Sequence, residues 1–413
     1  MSAVATNEGR PEAPPAAGRL PHLDAVDLVR VSMVAGVIAV HVVSYTTDPT
    51  DAVAGAATAI LHVNREVFFF LSAFVLAYSY GSRQGWSLAK FWKKRYLFVG
   101  APYVAWTVLY FLADGGAYRP WAAPAHRLLD DLLAGTARYH LYFLLVTMQI
   151  YAVFPLLLWL LKATRRHHVA LLGAALAVQC AFTAALHYFP VPAVHAPGLL
   201  GSWMRHPDPI LGSYVLYLVA GGVAAMHLGE LAAWVRSHRR AVRLLVAGGL
   251  AAGLAGYVLD HTVGGMDPAA AGEVFQPMVA VTTAAAVAGL FALGLRWADR
   301  GPQRRFAGSI RAGSDATFGV YLAHPLLLQG LLIVAAPLAT PAAAGRIPAA
   351  LVLLADLLVV VPLLLVFSAY VVRWTRRTPA SLFVTGRPRM EPRMEPPMEP
   401  PIEPRLRHPG GAA

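Results

Sequence analysis

An arginine and a histidine interrupt the first long apolar segment of this 413-residue chain. Arg30 and His41 are eleven residues apart, and between them only Ser32 is polar. In a helix this spacing is three turns plus about 20°, which predicts that both side chains share one face, about 16 Å apart. Arginine stays charged and binds phosphate well, whereas histidine accepts a proton near neutral pH. The pair therefore suits transfer of a group from a phosphate-bearing donor to a hydroxyl, with His41 and Arg30 as catalytic residues. The alternative is structural, with the arginine reaching the headgroups and the histidine bonded to a neighbouring helix.

A basic cluster, formed by Lys93, Lys94 and Arg95, opens the third apolar segment. Such a cluster beside an apolar run often does no more than set membrane orientation. It is also a ready anion site at the mouth of a helix bundle. We predict that these three residues contribute to binding the phosphates of the donor.

Three further polar residues lie within apolar segments, where ionisable and amide groups are costly and are candidates for function. Glu66 follows Arg65, and the two charges can neutralise each other. His324 stands among apolar residues, where a histidine is more often a hydrogen-bonded core residue than a catalyst. Gln149 is expected to form an interhelical hydrogen bond. All three are candidate substrate-binding residues.

The composition indicates a lipid environment, because 57% of the residues are hydrophobic and 14% are charged, against about a quarter charged in soluble domains. The net charge of +12 arises from basic residues placed between apolar runs, so we expect the lipid bilayer and not nucleic acid as the partner. The sequence contains no phosphate-binding lysine loop, dinucleotide fingerprint or zinc-protease motif. It predicts neither a metal site nor a bound cofactor.

Ten apolar segments have nearly the length needed to cross a bilayer as helices. They predict an all-α, polytopic membrane helix bundle of about ten transmembrane helices, in a multi-pass protein of the cell membrane. The expected spans are Ala25–Tyr45, Ala59–Tyr80, Tyr96–Leu112, Leu141–Leu161, Val169–Tyr188, Ile210–His227, Ala241–Leu259, Phe275–Leu295, Ala316–Ala336 and Ala349–Val372.

The loop charges support this count. Connections on one side of the predicted bundle hold 17 Lys and Arg residues, and those on the other side hold 5. The positive-inside rule then predicts that both termini are cytoplasmic. We expect a disordered N-terminus at 1–22, one membrane domain at 23–375, and a disordered tail at 376–413, where proline recurs in Met-Glu-Pro repeats.

Several motifs occur in an order that resembles the integral membrane acyltransferase-3 family, and together they extend over most of the stretch from Leu23 to Val372. They are Arg30 with His41, Val67–Phe74, Phe91–Tyr96 followed by Ala101–Tyr103, Tyr139–Phe143 and Tyr321–His324. Two positions depart from the family pattern: Ala73 replaces a usual glycine, and Phe98 stands where a further arginine is frequent.

The resemblance implies transfer of an acyl group from cytoplasmic acyl-coenzyme A to a hydroxyl of a carbohydrate or related acceptor. His41 takes the position of the family's essential histidine and Arg30 that of its partner, while Lys94 and Arg95 match basic residues that meet the donor. The residues in these motifs are most similar to those of the family branch that modifies surface polysaccharides of the cell envelope by O-acetylation. The alternative is a polysaccharide export protein or transporter that uses the same polar face as a path.

Overall fold

A computed structural model describes residues 21–114, 122–189, 207–301, 304–343 and 347–390. Within these ranges the regular secondary structure is helical and no strand occurs. The first seven helices are α1 Asp24–Thr46, α2 Ala52–Leu61, α3 Val63–Tyr80, α4 Leu88–Ala113, α5 Ala122–Ala134, α6 Tyr142–Ala163 and α7 His168–Tyr188. The others are α8 Val215–Met226, α9 Leu228–Ser237, α10 Arg239–Thr262, α11 Pro268–Ala271, α12 Pro277–Ala298, α13 Ala307–Ala343, α14 Ala349–Ala355, α15 Val361–Thr375 and α16 Ser381–Thr385.

The described residues contain nine helices, or helix runs, that are long and apolar enough to cross a membrane. A tenth candidate combines the turn before α8, α8 itself and α9, which is bent by 85° from α8. Asp24 pairs with Arg311 near the start of α13, and Arg387 pairs with Asp315 one turn further along. Both described ends of the chain therefore lie at the same end of the bundle, which requires an even number of crossings and favours ten. The polytopic helical bundle is confirmed, whereas the membrane side on which the termini lie stays a prediction.

The second span begins earlier than predicted, at Ala52 and not at Ala59, because Asp51 caps α2 through the backbone N–H groups of Val53 and Ala54. The sixth span, Leu211–Met226, closely matches the predicted Ile210–His227, and α9, which the sequence did not predict, turns away by 85° after it. Helix α9 is amphipathic, with buried Ala232 and Val235 on one face, and this pattern is typical of a helix that lies along the membrane surface.

Helix α1 lies inside the bundle and packs against α3, α12, α13 and α15. Its Ile38 and Val42 side chains are fully buried. Helices α3 and α8 touch backbone to backbone, because a Cβ on Gly221 would lie 2.1 Å from the carbonyl oxygen of Phe70. Close packing of this kind through small residues is a common way for membrane helices to associate. It fixes the position of α3, one of the helices that pack against α1.

The predicted disordered tail begins too early at residue 376. Residues 381–385 form α16, whose Ser381 and Thr385 are buried. Trp106 of α4 donates its indole N–H to the Val384 carbonyl at 3.0 Å. Sequence reasoning missed this short helix because proline repeats dominate the chain after it. Residues 1–20 and 391–413, also predicted to be disordered, lie outside the described residues.

Candidate active site

His41 lines a cavity of about 730 Å³, here called the His41 chamber. Helix α1 contributes one wall, and the start of α3, the segment before α6 and the connections before α8 and α12 contribute the others. Besides His41, the polar residues of its wall are Ser44, Tyr45, His62, Asn64, Arg65, Thr136, Tyr139, His140, Tyr142, Asp208, Glu273 and Tyr321. The chamber is therefore suited to a polar molecule.

Three histidines from distant parts of the chain meet beside this chamber. The ring centroids of His41 and His324 are 5.3 Å apart in a stacked arrangement, and those of His140 and His324 are 5.6 Å apart. His324 is fully buried, and one ring nitrogen, Nδ1, lies 2.7 Å from the Tyr321 carbonyl oxygen. Its Nε2 has no hydrogen-bond partner among the described residues. Burial, with the nearby His324 and His41 rings, lowers the pKa of His140 well below its ordinary value. This imidazole therefore stays neutral at physiological pH.

The Tyr139 ring packs against the His41 ring, and both residues line the His41 chamber. The two ring centroids are 4.4 Å apart, and the buried tyrosine oxygen has no hydrogen-bond partner among the described residues. Burial raises the pKa of Tyr139 above its ordinary value, so the hydroxyl keeps its proton. A protonated hydroxyl without a partner can donate to an oxygen that gains negative charge during a reaction.

Glu66 does not line the chamber, whereas its neighbour Arg65 does. The Arg65 Nε donates to Glu66 Oε1 at 2.9 Å, and its Nη1 donates to Asp208 at 2.7 Å. The guanidinium also lies 4.3 Å from the ring centre of Phe275. The expected neutralising pair is thus present, and Glu66 fixes the arginine side chain while Arg65 faces the chamber.

Arg30 lines two further cavities, which lie near the N-terminal end of α1. The wider one, here called the vestibule, has a volume of about 850 Å³ and also includes Asp27, Arg83 and Arg95. The narrower one, here called the neck, has a volume of about 210 Å³ and also includes Arg95, Tyr321 and Arg387. Among the described residues, the Arg30 guanidinium forms neither a hydrogen bond nor an ion pair. It is available to an anionic ligand.

The basic cluster of α4 is divided by the structure. Lys93 and Lys94 are exposed and line none of these cavities, whereas Arg95 is half-buried and lines both the vestibule and the neck. Its guanidinium lies 5.6 Å from the ring centre of Tyr151, and its buried Nε has no hydrogen-bond partner among the described residues. Three consecutive helical residues point in directions about 100° apart, so one cavity cannot receive all three.

Arg30 and His41 face cavities and not lipid, but they do not share one chamber. His41 belongs to the His41 chamber and Arg30 to the vestibule and the neck. Tyr321 lines both the chamber and the neck, so its side chain forms a wall between them. Its hydroxyl donates to the His140 carbonyl oxygen at 2.6 Å. The shared face predicted from the spacing on α1 therefore opens onto two compartments that meet at one tyrosine.

Gln149 lies outside these cavities. Its side-chain amide donates to the Pro209 carbonyl at 2.6 Å, and its oxygen accepts from the Leu211 backbone N–H at 3.0 Å. It therefore holds the start of the α8 segment to α6, as the structural alternative predicts. Sequence reasoning named Arg65 only as the ion-pair partner of Glu66, and it gave Tyr139 and His140 no role in the site. The only available signal was the motif around Tyr139, which carried no indication of its neighbours in space.

One group of described residues has the separation needed to hold a metal ion, and it consists of His22, Asp24 and Asp27. Arg304 and Arg311 already pair with Asp24. Two cations beside this carboxylate oppose the binding of another, so we assign it no metal.

The fold and the cavities define a polytopic membrane protein with a buried histidine cluster between a basic compartment and a polar one. The family model for the acyltransferase domain of acyltransferase-3 proteins matches residues 23–373. The chain belongs to this family and is an acyltransferase, one that does not transfer aminoacyl groups. No curated protein and no solved structure matches the chain in the corresponding searches.

Proposed function

We propose that the protein transfers a short acyl group, such as acetyl, from cytoplasmic acyl-coenzyme A to a hydroxyl of a carbohydrate or related acceptor. The donor binds in the vestibule and neck, and the acceptor binds in the His41 chamber. The observation that carries this proposal is the meeting of the two compartments at Tyr321. An elongated donor held at Arg30 then has to extend only past this side chain for its thioester to reach His41.

The charge of the vestibule and neck supports an anionic donor. Arg30, Arg83, Arg95 and Arg387 line these two cavities. Coenzyme A carries several phosphate charges, and guanidinium groups bind phosphate through paired N–H donors. Arg30 and Arg95 line both cavities, which makes them the central contacts of the proposed donor site.

The wall of the His41 chamber supports a hydroxyl-rich acceptor. Asp208 and Glu273 offer carboxylate oxygens that accept hydrogen bonds from hydroxyl groups, and Asn64 offers an amide. Tyr139 and Tyr142 add aromatic surface. A few polar groups converging in a cavity of this size are typical of sites that orient a small substrate.

In the proposed reaction, His41 acts as the general base. Its neutral imidazole takes the proton of the acceptor hydroxyl while that oxygen attacks the thioester carbonyl carbon. The Tyr139 hydroxyl donates to the carbonyl oxygen as negative charge develops there. The carbon–sulfur bond then breaks, and the departing thiolate recovers the proton, so the products are an ester and free coenzyme A. His324 and His140 position the His41 ring.

The test uses the full chain in lipid nanodiscs with acetyl-coenzyme A and candidate glycan acceptors, and it measures free thiol and acetylated product. His41→Ala should lower acyl transfer about 10²- to 10⁴-fold while the protein still inserts and accumulates. His167→Ala is the matched control, because His167 is exposed before α7 and lines neither the His41 chamber, the vestibule nor the neck. Undiminished transfer by His41→Ala would end the assignment.

Two further measurements, one in nanodiscs and one in sealed vesicles, separate the alternatives. An acyl group found by mass spectrometry on His41, before acceptor is added, would show that the histidine relays the acyl group and is not a base. Glycan export that continues in vesicles without any binding of acetyl-coenzyme A would favour an export function over the proposed transfer.

A further inference from the structure

An apolar cavity lies among the helices and shares no lining residue with the His41 chamber, although Val26 and Leu71 also line the vestibule and the neck, respectively. It has a volume of about 490 Å³ and is walled by α1, α3, α7, α8, α9 and α12. Representative lining residues are Phe70, Leu176, Leu216, Trp234, Ala288 and Phe291. No Asp, Glu, Lys, Arg or His is among the described residues that line it. In a membrane protein, such a space is suited to a hydrocarbon chain.

A basic pocket of about 260 Å³ lies at the corner where α9 meets α10. Arg236, Arg239, Arg243, Arg296 and Asp299 line it. Arg236 is bound by both oxygens of Asp299, at 3.0 and 2.8 Å. The other three arginines have no salt bridge to a carboxylate among the described residues. These three side chains are exposed, and an excess of three positive charges around one small pocket suits an anion.

The apolar cavity and the basic pocket adjoin each other. Val235 lines both, and α12 continues from Phe291 in the cavity to Ala292 and Arg296 in the pocket. Along α12 the cavity runs from Ala280 to Phe291, which is about 16 Å of helix. This is roughly half of the ~30 Å hydrocarbon core, or the depth of one leaflet.

We propose that an anionic phospholipid binds here, with its phosphate in the basic pocket and one acyl chain in the apolar cavity. A free phosphate ion would not use the adjoining apolar space, and a zwitterionic lipid would not require three unpaired arginines. Basic pockets between transmembrane helices are suited to anionic headgroups. The chain of this lipid contacts Val26 and Val29 of α1, the helix that carries Arg30 and His41. The lipid therefore contacts α1 near its N-terminus, where Val26 also lines the vestibule, whatever the acyl acceptor is.

The test measures lipid binding to the purified full chain by native mass spectrometry, with dioleoyl phosphatidylglycerol and dioleoyl phosphatidylcholine. The double variant Arg239→Gln/Arg243→Gln should bind phosphatidylglycerol about 30-fold more weakly, from the usual contribution of each basic residue near an anionic headgroup. The matched control is Arg165→Gln/Arg166→Gln, which removes two exposed charges from the turn before α7 and should leave binding unchanged. Ala288→Phe, which fills the apolar cavity, should weaken binding of both lipids.

Three outcomes would overturn the proposal. One is equal binding of the two lipids by the unmodified chain. Another is unchanged phosphatidylglycerol binding in the Arg239→Gln/Arg243→Gln variant, or an equal loss in the control. The third is displacement of the lipid by inorganic phosphate at the same concentration, which would identify the pocket as a site for free anions.

Discussion

Lys94 and Arg95 are neighbours in the chain, yet the structure predicts that replacing Arg95 weakens donor binding far more than replacing Lys94. Arg95 lines the vestibule and the neck. Its guanidinium lies over the rings of Phe91, one helical turn earlier in α4, and of Tyr151. Lys94 points about 100° away around α4 and is exposed. We therefore compare Arg95→Gln with Lys94→Gln, because each removes one positive charge from the same turn of the same helix.

The expected magnitudes depend on the contacts of each side chain. A hydrogen bond to a charged partner contributes about 1.5–3 kcal/mol, so Arg95→Gln should raise the Kd for acetyl-coenzyme A about 10- to 150-fold. Lys94 can act only through solvent, where an exposed charge pair contributes at most about 1 kcal/mol and is screened by salt. Lys94→Gln should therefore raise the Kd less than about fivefold.

Isothermal titration of each variant in nanodiscs, at low and at physiological ionic strength, measures these constants. The effect of Lys94→Gln should shrink as salt is added, whereas that of Arg95→Gln should largely persist. Thermal unfolding of each variant serves as the control for intact folding. Equal weakening by the two substitutions, or binding by Arg95→Gln within threefold of the unmodified chain, would refute the donor site derived from the vestibule and the neck.

Three other predictions concern the site and its scaffold. Tyr139→Phe should lower the turnover rate about 10²-fold with little change in the Kd for acetyl-coenzyme A, because it removes one hydrogen-bond donor to the developing oxyanion. Single-turnover kinetics would measure this rate, and an unchanged rate would exclude that role for Tyr139. Gly221→Ala should destabilise the fold by about 1–3 kcal/mol, because its new methyl meets backbone of the facing helix. Gly248→Ala, whose methyl meets nothing within 4 Å, is its control in a thermal unfolding assay. Glu66→Gln should cost about 3 kcal/mol, because it leaves the buried Arg65 charge poorly compensated, and an unchanged unfolding temperature would contradict this.

The sequence predicted correctly which residues share a face within one helix, but it did not predict which residues of different helices come into contact. Arg30 and His41 face the interior of the bundle, as the helical period on α1 requires. The pairing of Arg65 with Glu66 was also visible from their adjacency. The separation of the site into two compartments was not, because it depends on Tyr321, a residue far along the chain from both members of the α1 pair.

The amino-acid sequence by itself determined the membrane class of the protein, the order of its spans and the acyltransferase family. These properties depend on local features, since the length of an apolar run, the helical period and the order of motifs are read within short stretches of chain. Only the tertiary structure decided which polar residues meet. His41, His140 and His324 come from α1, the segment before α6 and α13, and their approach depends on how whole helices pack, which short stretches of sequence do not encode.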